Sequence, residues 1–479
     1  MRILFFTWRS NLERFAGMVA ELGRSGHEVV VASPSHMQVK LPKLLRGIPR
    51  IKAVAYDEVA NSAFGTGIRL LRNTRDYLWY LSPEQQVASF NRRHALDWLV
   101  RAATADGRRA DPSWPDPILQ LDPDQQDSLD ASLAELELRI PPDPSVVDLI
   151  RAHRPDAVLV SPLVKPQFHQ TEVVKAARML DVPSGFLAYS WDNLSNKGRV
   201  HVSPDRTFVW NELQRQEAIH LHGLDPETVL ATGAPHWDAF FARAPSRERE
   251  DFCAKHSFDP DRPLVLYLGS TGRICPYEPQ VVERWLDAVR RGPGSLRKAN
   301  VLVRRHPDEG ARWSGWMPRD EYVSMSRNPG KGDQGLYDEL HHAEAVVGLN
   351  TTAQLEASIL GKPVYTFAAG ELAPGQQGTL HFYHLLRDRG GVVSFAETMD
   401  EHVTQLERGL AGDYDREAIR RFCESFIRPH GLDRPVTPIL AEAVLELAGA
   451  GRPKRLPLGW LRARANGRRR ASAVAKTAG

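Results

Sequence analysis

Little in this chain points to covalent cross-links or a metal centre. Three cysteines, Cys253, Cys275 and Cys423, are scattered over 479 residues without metal-type spacing. That pattern argues against a disulfide scaffold or a zinc cluster and fits a reducing, cytoplasmic compartment. No segment approaches the roughly 20 apolar residues of a membrane-spanning helix, so any membrane contact is expected to be peripheral. The opening, MRILFFTWRS, lacks a basic segment followed by an apolar stretch, which argues against a signal peptide. Gly-x-x-x-x-Gly-Lys-Ser/Thr is absent, which excludes a P-loop nucleotide hydrolase. No Gly-x-Gly-x-x-Gly follows the first apolar run, which weakens a dehydrogenase reading. The formal net charge of +3 is small for this length, and no nucleic-acid partner is expected.

What is present reads as a large globular chain, 42% hydrophobic and 25% charged. Single hydrophobic cores stop growing at roughly 250–300 residues, so two domains and a tail are expected: 1–240, 241–450 and 451–479. Short apolar runs alternate with helical patterns, the signature of parallel βαβ units. In the first half, strands are predicted at Arg2–Thr7, Glu28–Ser33, Ala157–Ser161, Ser184–Tyr189, Thr207–Trp210 and Val229–Thr232, with helices at Asn11–Ser25 and Gln170–Leu180. Residues 68–143 break this rhythm and read as an insertion of helices and exposed loop. The second half repeats the alternation, with strands at Leu264–Gly269, Val301–Arg304, Ala345–Leu349 and Pro363–Phe367. Helices are predicted at Pro279–Arg290, Gly335–His342, Ala353–Leu360, Asp400–Leu410, Arg416–Ile427 and Val436–Leu447. Two such runs predict an α/β protein with two Rossmann-like parallel sheets facing across a cleft. The last helix is expected to cross back onto the N-terminal domain.

After Glu446 no acidic residue occurs, while Arg452, Lys454, Arg455, Arg462, Arg464, Arg468, Arg469, Arg470 and Lys476 are basic and surround Trp460 and Leu461. Such a tail is attracted to anionic lipid, at about 1 kcal/mol per basic residue near the surface. A disordered solvated tail has the same composition.

The segment from Gly348 through Asn350, Thr351, Thr352 and Glu356 to Gly361 and Pro363 reads as strand, N-cap and helix. The helix start offers free N–H groups to an anion, and Glu356, one turn on, suits the two hydroxyls of a ribose. Two further strand ends point to the same edge. Gly269, Ser270, Thr271 and Gly272 are small enough to let a ligand approach the backbone. Arg304, Arg305 and His306, before Pro307, bring cations and an imidazole suited to a diphosphate. Together these loops describe a nucleotide pocket in the C-terminal half.

The N-terminal half supplies the opposite wall. Its first strand ends in Thr7, Trp8, Arg9, Ser10 and Asn11, groups that suit a sugar. Another strand is followed by Ser161–His169, and the next by a loop rich in hydrogen-bonding side chains, Ser190–Gly198. Trp191, Asn193 and Lys197 are candidate acceptor contacts, together with Trp8, Arg9 and Asn11. An inverting transfer needs a base for the acceptor hydroxyl. Asp192 is the first candidate and His169 the second. Asp192 and Asn193 also suit an Asx-turn that caps backbone groups. The Thr232–Asp238 loop fits a locally capped strand-to-helix turn as well as it fits a ligand contact.

Gly348–Pro363, Arg304–Pro307 and Thr232–Asp238 resemble elements of a superfamily of bacterial surface-polysaccharide enzymes with the GT-B fold. It includes capsule Kdo transferases, CDP-glycerol glycerophosphotransferases and non-hydrolysing UDP-N-acetylglucosamine 2-epimerases. The resemblance spans roughly Asp156–Leu447. It implies that Glu356 and Asn350–Thr352 bind the donor nucleotide and that Arg304, Arg305 and His306 face its phosphates. It also implies metal-independent chemistry with no cofactor beyond a nucleotide-activated sugar. The epimerases carry His-x-Glu-x-Gly-Leu-Arg where this chain has Tyr189-Ser190-Trp191-Asp192-Asn193, which disfavours epimerisation. The expectation is a cytoplasmic glycosyltransferase, or a glycerophosphotransferase relative, acting on a cell-surface glycan or glycolipid. The alternatives are a 2-epimerase and a non-catalytic nucleotide- or glycan-binding scaffold.

Overall fold

The structure, a computed structural model, describes residues 1–37, 40–57, 65–104, 116–164, 169–318, 320–326 and 333–451. The basic tail, part of the exposed loop expected within 68–143 and part of the Ser161–His169 loop lie outside these residues.

The N-terminal half opens with β1 (Arg2–Thr7), α1 (Arg9–Arg24), β2 (Glu28–Pro34) and β3 (Ile51–Tyr56). Five helices precede the next strand: α2 (Gly65–Leu81), α3 (Ser89–Thr104), α4 (Asp116–Leu119), α5 (Pro123–Arg139) and α6 (Pro144–His153). The alternation resumes with β4 (Ala157–Ser161), α7 (Gln170–Met179), β5 (Ser184–Leu187), α8 (Asn193–Asn196), β6 (Arg206–Val209), α9 (Glu212–His220), β7 (Val229–Ala231) and α10 (Asp238–Phe241). The seven strands pair in parallel in the order β3-β2-β1-β4-β5-β6-β7. β1 lies in the interior of the sheet, between β2 and β4, where its Ile3–Phe6 are apolar on both faces and wholly buried.

The C-terminal half runs α11 (Arg249–His256), β8 (Leu264–Leu268), α12 (Glu278–Arg291), β9 (Asn300–Arg304), β10 (Val323–Met325), α13 (Asp333–His342), β11 (Ala345–Gly348), α14 (Ala353–Ile359), β12 (Val364–Phe367), α15 (Leu380–His384), β13 (Val393–Ala396), α16 (Met399–Leu410), α17 (Arg416–Phe426) and α18 (Val436–Gly449). Its six strands repeat the first order as β10-β9-β8-β11-β12-β13, again all parallel. In each sheet the winding reverses beside the first strand, and the loops that flank this switch point hold most of the expected ligand residues.

Helix α18 does cross back. Leu440, Ala441, Val444 and Leu447 belong to the core that holds Phe5, Phe15 and Val19. Its start is capped from a distance, because Asp238 accepts from the Val436 and Thr437 N–H groups at 3.0 and 2.7 Å and from Arg428 at 2.7 Å. The Thr232–Asp238 loop therefore has a structural task at the hinge. A third core spans both halves, joining Trp191, Trp210 and Trp237 to Phe422, Phe426 and Ile427. Burying each such aromatic contributes about 1.5–3 kcal/mol, so the halves are joined by an apolar seam. Among the described residues no helix is long and apolar enough to cross a membrane.

Candidate active site

The two sets of strand-end loops meet across the cleft. Trp191, after β5, places its indole Nε1 3.5 Å from Thr352 Oγ1 before α14, and its ring lies edge-on to His381, 4.7 Å between centroids. Helix α3 also reaches the C-terminal half, since Phe90 N–H donates to the Gly378 carbonyl at 3.2 Å. Trp191 is buried. It acts as a clasp between the halves, where the sequence suggested a face for a sugar.

Asp192 lies beside this clasp. Its Oδ2 accepts from Lys197 Nζ at 2.8 Å and from Asn196 Nδ2 at 3.0 Å. Burial pushes the carboxyl up, but the Lys197 cation, His381 and hydrogen bonds from Lys197 and Ser190 outweigh it and hold Asp192 well below the usual carboxylate range. Lys197 is shifted upward: burial opposes its charge, and Asp192 and Tyr189 more than restore it. The site therefore holds an ionised pair, with Asp192 buried and Lys197 half-buried. Tyr80 from α2 and Arg273 after β8 act electrostatically on it. Burial drives His381 down to about 4 despite Asp192, so its imidazole is neutral at pH 7.

Other expected acceptor-side residues have different places. Asn193 is fully buried, and its Oδ1 accepts from the Tyr189 and Ser190 N–H groups at 2.7 and 3.0 Å. It shapes the loop as an Asx-turn would. Asn11 donates to Ser161 Oγ at 3.3 Å across the β1/β4 switch point. Trp8 stands half-buried at the start of α1, and Arg9 is exposed and pairs with Glu13 at 3.5 Å. His169 Nε2 lies 3.0 Å from Asp143 Oδ2. It fastens α7 to the start of α6.

On the opposite wall, Gly269 is tightly constrained. A Cβ there would stand 2.9 Å from His306 N and 3.0 Å from the Arg304 carbonyl, so only glycine lets the β8 and β9 loops touch. Ser270 is buried, and its N–H donates to Glu278 Oε1 at 2.7 Å. Thr271 is half-buried, and its carbonyl accepts from Ile274 N–H at 2.9 Å. Arg304 is buried and bound to Glu339 at 2.8 Å, while Ser326 holds the other Glu339 oxygen. It pins β9 to α13. Arg305 is half-buried beside Gly310 and enters no ion pair among the described residues. His306 accepts from the Asp308 N–H at 3.3 Å through Nδ1, capping its own loop.

The start of α14 also differs from expectation. The helix has seven residues, and Thr352, at its N-cap, makes no side-chain cap. Gln354 instead folds back to accept from Thr351 N–H at 3.1 Å. Buried Asn350 donates to the Gln376 carbonyl at 3.1 Å, holding the loop that leads to His381. Glu356 is half-buried in the first turn. Arg273 and His381 escaped the sequence reading because the Asp192–Lys197 pair on which they act lies in the other half of the chain, and Glu278 because its cation, Arg312, stands on a later element. Arg273 directly follows the glycine-bearing Gly269–Gly272 stretch, the only local signal available.

Two Rossmann-like parallel sheets with opposed strand-end loops, tied by a final helix that returns to the first domain, define the GT-B fold. Solved structures agree. MnaA from S. aureus, determined with UDP, is 13% identical over 95% of this chain and 99% of its own, with a TM-score of 0.51. A glycosyltransferase from Rickettsia africae is 10% identical over 95% and 99%, with a TM-score of 0.51. A Listeria monocytogenes protein assigned as a UDP-N-acetylglucosamine 2-epimerase is 13% identical over 95% and 99%, with a TM-score of 0.50. At these identities the likeness establishes the fold alone. No protein-family profile and no curated protein sequence matches the chain.

Proposed function

We propose that this protein is a metal-independent glycosyltransferase that moves a sugar from a nucleotide-activated donor to a glycan or glycolipid acceptor. One observation carries the reading: the loop bearing the ionised Asp192 meets the start of α14 through Trp191 and Thr352. A carboxylate on one wall thereby stands opposite the loops suited to a nucleotide on the other. The donor occupies the C-terminal wall, with Glu356 on the ribose and the Gly269–Thr271 and Arg305–His306 loops at the diphosphate. Asp192 receives the acceptor hydroxyl's proton. Its depressed pKa makes it a weak base, but one that is always in the correct protonation state. MnaA was solved with UDP, which supports a uridine nucleotide as the first donor class to test.

The test is a thermal-shift screen of UDP, CDP, CMP, GDP and their sugars, with Glu356→Ala as control. A stabilisation by one nucleotide that the variant loses supports the pocket. Asp192→Asn should keep that shift and lose turnover with acceptor. Acceptor-free isomerisation of a UDP-sugar would replace the transferase reading with a 2-epimerase. No shift from any nucleotide would overturn it.

A further inference from the structure

Two backbone N–H groups of the Gly269–Gly272 loop already have carboxyl partners. Ser270 N–H donates to Glu278 Oε1 at 2.7 Å, and Gly272 N–H donates to Glu309 Oε1 at 2.7 Å. The two carboxylates differ in kind. Glu278 is wholly buried and is held on its far side by Arg312 at 3.0 Å, so it belongs to the frame of the loop. Glu309 comes from the loop after β9 and keeps about a quarter of its side chain exposed, so it can swing out.

The position that Glu309 fills is built for an anion. Gly272 has no Cβ, and one placed there would stand 3.3 and 3.4 Å from the two Glu309 oxygens. Arg312 donates to the Ser270 and Cys275 carbonyls and to Glu278. Its remaining Nε is buried, completes no hydrogen bond, and faces Glu309 Oε2 at 3.9 Å. A backbone N–H and a guanidinium N–H thus face the two oxygens of one carboxylate, the first bonded to Oε1 and the second standing off from Oε2, a donor pair suited to a phosphate at a glycine-bearing turn. A carboxylate of the protein now stands there.

We propose that Glu309 is an internal competitor of the donor's diphosphate: it occupies the Gly272 and Arg312 donors until a phosphate oxygen displaces it. This rests on the donor pocket proposed above. The device sets specificity as well as affinity. A ligand with one weak charge does not displace the Glu309 carboxylate, whereas a diphosphate, with more charge and more acceptor oxygens, does. It also keeps the Gly272 N–H paired when the pocket holds no donor.

The experiment measures binding of inorganic diphosphate and UDP to the full chain by calorimetry. Three proteins are compared: the unaltered chain, Glu309→Gln and the charge-matched control Asp308→Asn. Glutamine still accepts from Gly272 N–H, so the loop keeps its shape while the competing charge is gone. The expected result is about tenfold tighter diphosphate binding in Glu309→Gln, with little change in Asp308→Asn. Equal tightening in both variants would reduce the effect to net charge and overturn the proposal. Binding in the unaltered chain that is unchanged or weaker in Glu309→Gln would also overturn it, and would leave the donor pocket standing. No binding of either ligand to any of the three would remove the donor pocket itself.

Discussion

Glu217 and His384 meet across the interdomain cleft, with Oε1 of the carboxylate 2.7 Å from Nε2 of the imidazole. Glu217 is on α9 of the first half and His384 on α15 of the second, so the contact is a polar tie beside the apolar seam. Burial pushes the Glu217 carboxyl up, and the hydrogen bond and charge of His384 work against that rise. His384→Ala removes the compensation and leaves a buried carboxylate behind, which should destabilise the protein by about 2 kcal/mol. Urea unfolding checks this. In a double-mutant cycle, Glu217→Gln with His384→Ala should cost less than the sum of the single changes.

The helices between β3 and β4 are fastened by ions. Arg72 from α2 bridges Glu137 from α5 and Glu172 from α7, and Lys175 reaches Glu137 at 3.1 Å, all four being buried. Burial raises the Glu137 carboxyl, but Arg72 and then Lys175 overcome this and bring it to about 2. Because the folded value is depressed, this contribution is present above about pH 4.5 and is lost as pH falls toward 2. It amounts to about 3 kcal/mol at neutral pH. Glu137→Gln should lower neutral stability by about 3 kcal/mol and flatten the acid decline, as read from melting temperature against pH.

Glu278 has the opposite sign. Burial raises its carboxyl to about 7, against the opposing effects of the Ser270 N–H and Arg312. The folded state then holds a proton that the unfolded chain releases between about pH 4.5 and 7, so stability falls as pH rises through that window. The fall is about 3 kcal/mol at most. Glu278→Gln should remove this slope, and an unchanged pH profile would contradict the assignment.

Gly198 closes the Asp192 loop at φ +107°, and a Cβ there would stand 2.6 Å from Asp76 Oδ2. Asp76 in turn accepts from Arg199 N–H at 2.8 Å and lies 3.2 Å from His201. Gly198→Ala should cost about 2–3 kcal/mol through strain and collision together. Gly223, at φ +68° with open space around it, is the control. Its alanine variant should cost about 1 kcal/mol from backbone strain alone. Equal losses at the two sites would dismiss the Asp76 contact.

The central strands could be read from the chain because strands buried on both faces must be apolar throughout, as Ile3–Phe6 and Leu264–Leu268 are. The unread strands, β3, β10 and β13, are all sheet edges. There burial is partial: in β3 Lys52 and Ala53 are exposed, and β10 has three residues, so no apolar run marks them. The ionisable partnerships were beyond sequence reasoning for a different reason. Arg304 looked like a free cation because Glu339 stands on another element, and Asn193 looked like a ligand contact although its Oδ1 accepts from backbone N–H groups of its own loop. Local periodicity follows from the chemistry of neighbouring residues and is written in order along the chain. Which carboxylate neutralises which cation depends on where the sheet brings distant segments together, and only folding decides it.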